Sequence, residues 1–229
     1  MNPDSESLVE LGTKTHPYKN LGYVFVELLN YHSHQDRNIS IYVKEYTQNY
    51  VYLFNSFIVN ITHVEIMSYS DDDTVTPGKP IITALENEEL TDTRGTSLNI
   101  LQNYEMRTSQ AITDNPNVTV YERFVFEQGG CVFMIIRSNF YMDNFELKTE
   151  YESLLKNRYF FLPINLQHRL IKLMNLDFRI GGSCLGASDP LNIHLENIDV
   201  DYSRNLGGFY VSINCMYPEA EIDTLFYLK

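Results

Sequence analysis

Apolar residues in this chain come in short alternating runs, and that pattern constrains the fold more than any other feature. In Ile39-Ser-Ile41-Tyr-Val43 the odd positions are apolar, the period of a strand with one buried face. Comparable strand-sized runs cover Tyr23–Leu29, Ile39–Tyr46, Tyr50–Phe54 and Phe57–Met67. Val118–Phe126 and Cys131–Ser138 flank Gln128-Gly-Gly130 and read as the clearest hairpin. Asn192–Ile198, Phe209–Cys215 and Ile222–Leu228 continue the pattern between Asn and Gly turns. Ser68–Pro80 is a turn-rich loop by composition, and Thr91–Asn117 is polar and irregular. Helical signals are fewer. Short ones fall at Ser7–Leu11, Ala84–Leu90 and Glu150–Asn157. The best is Pro163–Leu176, where Pro163 suits a first turn and Leu166, Leu170, Leu173 and Met174 share a face. No internal repeat and no long linker stands out. The expected fold is mainly β: one sandwich or jelly-roll-like domain over residues 21–229, with two or three helices and an N-terminal arm over residues 1–20.

Charge narrows the partners. Among 229 residues, 30 Asp+Glu face 17 Lys+Arg, for a formal net charge of −13. Such a chain lacks the basic surface that offsets phosphate repulsion, so neither nucleic acid nor an anionic membrane is an expected partner. The head MNPDSESLVELG has no apolar leader core, and no apolar run approaches a membrane span. The cysteines Cys131, Cys184 and Cys215 are odd in number and scattered, unlike a secreted disulfide framework. The expectation is an intracellular, non-secreted protein. In that setting the glycosylation-type triplets at Asn38, Asn60 and Asn117 are silent.

Few constellations carry chemistry. Gly182-Ser-Cys184-Leu-Gly186 has the spacing of a thiol nucleophile elbow, with Asp189 and His194 following in triad order. Pro190 stops any helix the elbow would need, so the simpler reading is a glycine turn around a buried thiol. His32 and His34 share a strand face, and His16 or His63 would have to complete a zinc set; solvated histidines are the simpler reading. Asp71-Asp-Asp73 lacks the spacing of a calcium loop. No phosphate-binding glycine motif occurs. No catalytic residue, metal or cofactor is therefore expected, and the chain does not read as an enzyme. The tyrosines stand out instead, 17 of them. Tyr42, Tyr46, Tyr50 and Tyr52 crowd one short stretch, Tyr141, Tyr151 and Tyr159 surround the expected helices, and Tyr202, Tyr210, Tyr217 and Tyr227 decorate the C-terminal runs. Tyrosine couples apolar area to a polar tip, which suits contact surfaces as well as strands.

Two strings, Tyr18-Lys19-Asn20-Leu21-Gly22 and Pro77-Gly78-Lys79, resemble in kind and order strings of the baculovirus polyhedrin and granulin family, the matrix proteins of viral occlusion bodies. The chain departs from that family in having no tryptophan and no basic run for nuclear entry. The resemblance implies a β-sandwich protomer that trimerises and crystallises inside infected insect cells, in the nucleus if the likeness extends that far. It implies partners that are other copies of the chain and embedded virions, and release in alkaline gut fluid. An acidic chain rich in phenols fits alkaline release, because ionising tyrosines at contacts adds like-charge repulsion as pH passes about 10. An intermolecular disulfide through Cys131, Cys184 or Cys215 would fit such a lattice. Two other readings stand beside it: a binding module with a tyrosine-rich face, and a cysteine hydrolase centred on Cys184.

Overall fold

The structure, a computed structural model, describes residues 1–7, 11–22, 24–25, 38–52, 56–85, 114, 118–119, 131–149, 155–164, 169–180, 182–187, 192–201, 211–213 and 225–228. Its strands are β1 (Asn38–Lys44), β2 (Gln48–Tyr52), β3 (Ser56–Val59), β4 (His63–Tyr69), β5 (Ile81–Leu85), β6 (Cys131–Ile136) and β7 (Asn139–Thr149). They continue with β8 (Leu155–Ile164), β9 (Leu170–Arg179), β10 (Gly182–Ala187), β11 (Asn192–Glu196), β12 (Asp199–Val200), β13 (Val211–Ile213) and β14 (Leu225–Leu228).

Every strand pair among the described residues is parallel. One sheet runs β1-β4-β7-β9-β11-β14 and the other β3-β6-β8-β10-β13, so the chain visits the two sheets in turn and adds one strand to each per circuit. That is a parallel β-solenoid. The first sheet folds at a corner into two faces. The front face holds β1, β4, β11, β14 and the first halves of β7 and β9; the side face holds β2, β5, β12 and the second halves of β7 and β9.

The corner is written in the residues. Phe140-x-Met142-x-Asn144-Phe145-x-Leu147, Ile171-x-Leu173-x-Asn175-Leu176-x-Phe178 and Ile193-x-Leu195-x-Asn197-Ile198-x-Val200 are three copies of one pattern, stacked in register. Asn144, Asn175 and Asn197 adopt positive φ (68°, 51° and 51°), a conformation Asn tolerates better than most side chains. One left-handed residue turns the strand without breaking the stack. Asn60 (φ 55°) and Arg137 (φ 48°) form a second corner, between the back sheet and the front face. There Ser138 Oγ accepts from the Ile61 N–H (3.0 Å) and donates to the Ile136 carbonyl (2.9 Å).

Inside the coil, equivalent apolar positions pile up. Phe133 stacks on Phe161 (5.2 Å between centroids) and touches Phe140 and Phe160; Phe178 meets Phe160 and Phe161 edge-on. Leu21, Gly22, Val24 and Phe25 are buried in a helical turn, and Phe25 sits edge-on to Phe133, so this segment closes the N-terminal end of the core. β6 is buried on both faces because Val118, from the excursion that precedes it, packs outside with Cys131, Met134, Leu162 and Ile164. Parallel edges invite further pairing. The arm covers this one: Lys44 donates to the Met1 carbonyl (3.0 Å), and the Met1 amino group donates to the Tyr42 carbonyl.

The mainly-β expectation holds, but its finer form needs correction. A jelly roll is built of antiparallel strands, and these strands are parallel. The expected helix at Pro163–Leu176 is the end of β8 and most of β9: Ile171, Leu173, Leu176 and Phe178 point inward while Leu170 is exposed. A single corner residue changes the spacing of inward positions from two to three, which imitates helical periodicity. The repeat went unseen for a related reason: the intervals between its copies are unequal. Cys131–Ser138 is a strand, but its partners are β3 and β8; the other arm of the expected hairpin lies largely outside the described residues. So do most of Ser7–Leu11, Ala84–Leu90, Glu150–Asn157 and Thr91–Asn117.

Replacing Asn175 by Val should cost about 1–3 kcal/mol, because a β-branched residue strains at that φ. Asn175→Gly should cost about 1 kcal/mol, for the hydrogen bonds alone. Urea unfolding of the two variants checks the order; equal losses would remove the corner's claim to conformational control.

Candidate functional site

Outward residues of the front face form rows that run across the coils. One row is Ser40, Glu65, Tyr141, Lys172 and His194, with Tyr227 at the next register position; its neighbour is Tyr42, Met67, Asp143, Met174 and Glu196. All three carboxylates here are braced. Ser40 Oγ donates to Glu65, and His63 Nε2 lies 3.7 Å from the other oxygen of Glu65. Asp143 accepts from Tyr141 Oη (2.8 Å) and from Asn175 Nδ2 (2.7 Å). Glu196 pairs with His194 Nε2 at 3.2 Å. Lys172 Nζ stands 5.5 Å from the centre of the Tyr141 ring. Among the described residues no Lys or Arg forms an ion pair with any of these three carboxylates.

The side face is arranged differently. Its acidic row is Glu146, Asp177 and Asp199, one from each copy of the repeat. Each has a cation: Lys148 at 2.9 Å, Lys79 at 2.6 Å and Arg179 at 2.8 Å. At the corner between the two faces lies a groove of about 450 Å³, lined by Asp143, Asn144, Asn175 and Asn197 together with Met67, Ser68, Thr76, Pro77 and Lys79. The Ser68–Pro80 loop overhangs it. Glu45 pins that loop, accepting from the Gly78 N–H (2.7 Å) and from Ser70 Oγ; these bonds, the Gly78 one foremost, hold its carboxyl below the usual range. Asp71, in the same loop, is likewise lowered, by Lys44 at 2.7 Å. The acidic triplet is thus a braced surface loop.

The other candidate residues scatter. Cys184 is buried in the main core and Cys131 in the outer cluster. Burial pushes the Cys184 thiol up to about 12 and raises Cys131 further, so neither is a ready thiolate near neutrality. His194 faces outward beside Glu196, away from Cys184, so the structure does not bring the elbow residues together; Asp189 lies outside the described residues, as do Cys215, His32 and His34. Among the described residues no group of three His, Cys, Asp or Glu is placed to hold a metal ion, and no helix is long and apolar enough to cross a membrane. Of the tyrosines, Tyr42, Tyr46 and Tyr50 are exposed on the first coil. Tyr52 and Tyr227 lie in β2 and β14, and Tyr202, Tyr210 and Tyr217 fall outside the described residues. In the first of the two strings Leu21 and Gly22 are buried, and the Tyr18 carbonyl accepts from Asn2 (3.0 Å). In the second, Gly78 lies flat against the Tyr46 ring, where a Cβ would come within 2.1 Å, and Lys79 reaches Asp177.

Glu65, Asp143, Lys172 and Glu196 are not marked by the sequence, because none belongs to a motif. The signal available was the position before the repeated Asn, which reads Asp143, Met174, Glu196. Comparison of the chain with protein-family models, curated proteins and solved structures finds no match.

Burial, then the hydrogen bond to Asp143, raises the Tyr141 phenol well above its usual value. The folded protein therefore keeps a proton that the unfolded chain loses near pH 10. That stability is full below pH 10 and declines as pH climbs through the folded value. Tyr141→Phe should flatten the loss of stability above pH 10, read by urea midpoints at pH 9 to 11.5. A thiol-specific alkylating reagent at pH 8 should leave Cys131 and Cys184 unmodified in the folded protein and label both in urea; fast labelling of Cys184 alone would revive the hydrolase.

Proposed function

We infer that the protein is a binding module whose front face engages an extended, basic segment of another protein. The observation that carries this reading is the contrast between faces: the side-face carboxylates are each matched by a cation, whereas Glu65, Asp143 and Glu196 are oriented by hydrogen bonds, Ser40, Tyr141, Asn175 and the histidines being their partners. Exposed Tyr42 at one end of the face adds a ring that can accept a cation over its surface. Six strands at about 4.8 Å give a face roughly 24 Å long, enough for about seven extended residues. Acidity of the whole chain favours encounter with a basic partner.

Self-assembly into a lattice is the second reading, favoured by the exposed Tyr42, Tyr46 and Tyr50. The arm bonds to its own first coil, which leaves the exposed tyrosines as the support for this second reading. The implied embedding of virions and alkaline release belong to this second reading.

A fluorescent nine-residue peptide alternating Arg and Gly should bind, and raising salt from 50 to 500 mM should weaken it. Glu65→Gln with Glu196→Gln should weaken it about tenfold, about 1.4 kcal/mol, while Glu146→Gln on the side face should have little effect. Absence of binding at millimolar peptide, or equal loss from both faces, would sink the reading.

A further inference from the structure

The groove at the asparagine corner has an uneven supply of hydrogen-bonding groups. Its amide N–H groups are engaged within the protein: Asn144 Nδ2 donates to Ser68 Oγ (2.6 Å) and to the Pro77 carbonyl (2.8 Å), Asn175 Nδ2 to Asp143 (2.7 Å) and Asn197 Nδ2 to Asn175 Oδ1 (2.9 Å). Among the described residues that line it the one cation, Lys79, is matched by Asp177 at 2.6 Å. What remains is acceptor capacity. Among the described residues nothing donates to Oδ1 of Asn144 or Asn197, and Asp143 uses two of its roughly four acceptor positions. Asn144 and Asn197 lie two coils apart, about 9.6 Å along the stack, with the Asn175 oxygen between them already engaged, so a planar donor meets Asp143 together with the Asn144 oxygen next to it in the chain. Met67 and Pro77 supply apolar flanks for such a plane.

We propose that this groove is an anchor pocket for an arginine side chain, its guanidinium donating to Asp143 and to the Asn144 amide oxygen while its stem lies against Met67 and Pro77. The inference rests on the reading of the front face as a surface for a basic segment, and names where that segment's principal side chain is held. Guanidinium suits the site better than ammonium because it presents a rigid fork of five donors and is more weakly hydrated. The groove's volume of about 450 Å³ admits the side chain with its flanking backbone. Saccharide hydroxyls both donate and accept, and would leave their acceptor half unmet here.

The test uses N-acetyl-arginine-N-methylamide as probe, with the citrulline and lysine analogues as controls, and follows side-chain amide resonances by NMR. The arginine probe should shift the Asn144 and Asn175 amides. The lysine analogue should bind at least threefold more weakly and the citrulline analogue not measurably. Asp143→Asn should lower affinity at least tenfold, with urea midpoints reporting that the variant is folded; Met67→Ala, which leaves the charge in place, should lower it two- to threefold. Three outcomes overturn the pocket: unshifted amides at saturating probe, equal binding of arginine and citrulline, or no effect of Asp143→Asn in a folded variant. If those occur while the Arg-Gly peptide still binds and still responds to Glu65→Gln with Glu196→Gln, the pocket fails and the binding face stands. If the peptide fails to bind as well, both fall.

Discussion

A single residue in the left-handed conformation, repeated at the same place in successive coils, is the constraint on which the rest of this structure depends. A straight parallel sheet has no interior of its own. Turning each strand by one residue at Asn144, Asn175 and Asn197 closes the sheet around a core while the ladder runs on through the turn. The cost is one strained backbone position per coil. Asparagine keeps it small, because its short polar side chain tolerates positive φ and then bonds its neighbour in the stack. The inward positions on either side become fixed columns, which is why Phe133 and Phe161 lie face to face and Phe178 closes on both.

Register also dictates electrostatics. Parallel stacking sets each outward side chain about 4.8 Å from its counterparts, so a like-charge column repels along its length. The two faces answer this differently. The side face carries three successive acids and places a cation against each. The front face separates its acids: Glu65 is the one carboxylate in its row of described residues, and Met174 stands between Asp143 and Glu196. Spacing, together with hydrogen bonds and histidines in place of Lys or Arg, makes three carboxylates tolerable on one surface.

How much of this was legible follows from the same geometry. Alternation revealed strands: β6 falls within the run Cys131–Ser138, and β1 and β4 overlap Ile39–Tyr46 and Phe57–Met67. Direction was not legible, since apolar alternation is the same for parallel and antiparallel neighbours. The corner misled, because a jump of three between Leu173 and Leu176 suits a helix as well as a turned strand. The site was hidden for a third reason. Asp143, Asn175 and Asn197 are far apart in sequence and belong together only through register, so no local motif announces them. The tyrosine count pointed to a surface, and Tyr42, Tyr46 and Tyr50 are on one; Tyr141 stands out in the sequence only as one tyrosine among many, and its bond to Asp143 follows from the fold.

The coils are unequal in length. The chain takes longer to pass from Phe140 to Ile171 than from Ile171 to Ile193, and far longer from His63 to Asn139, yet all three steps advance the ladder by one strand. Extra residues leave at the ends of strands and return to the same register, as the excursion before β6 and the Ser68–Pro80 loop both do. Contour length and axial position are thus uncoupled. Such a chain can lengthen, shorten or exchange an excursion without moving any rung, so its outline is free to vary while the spacing of its front face stays set by the backbone.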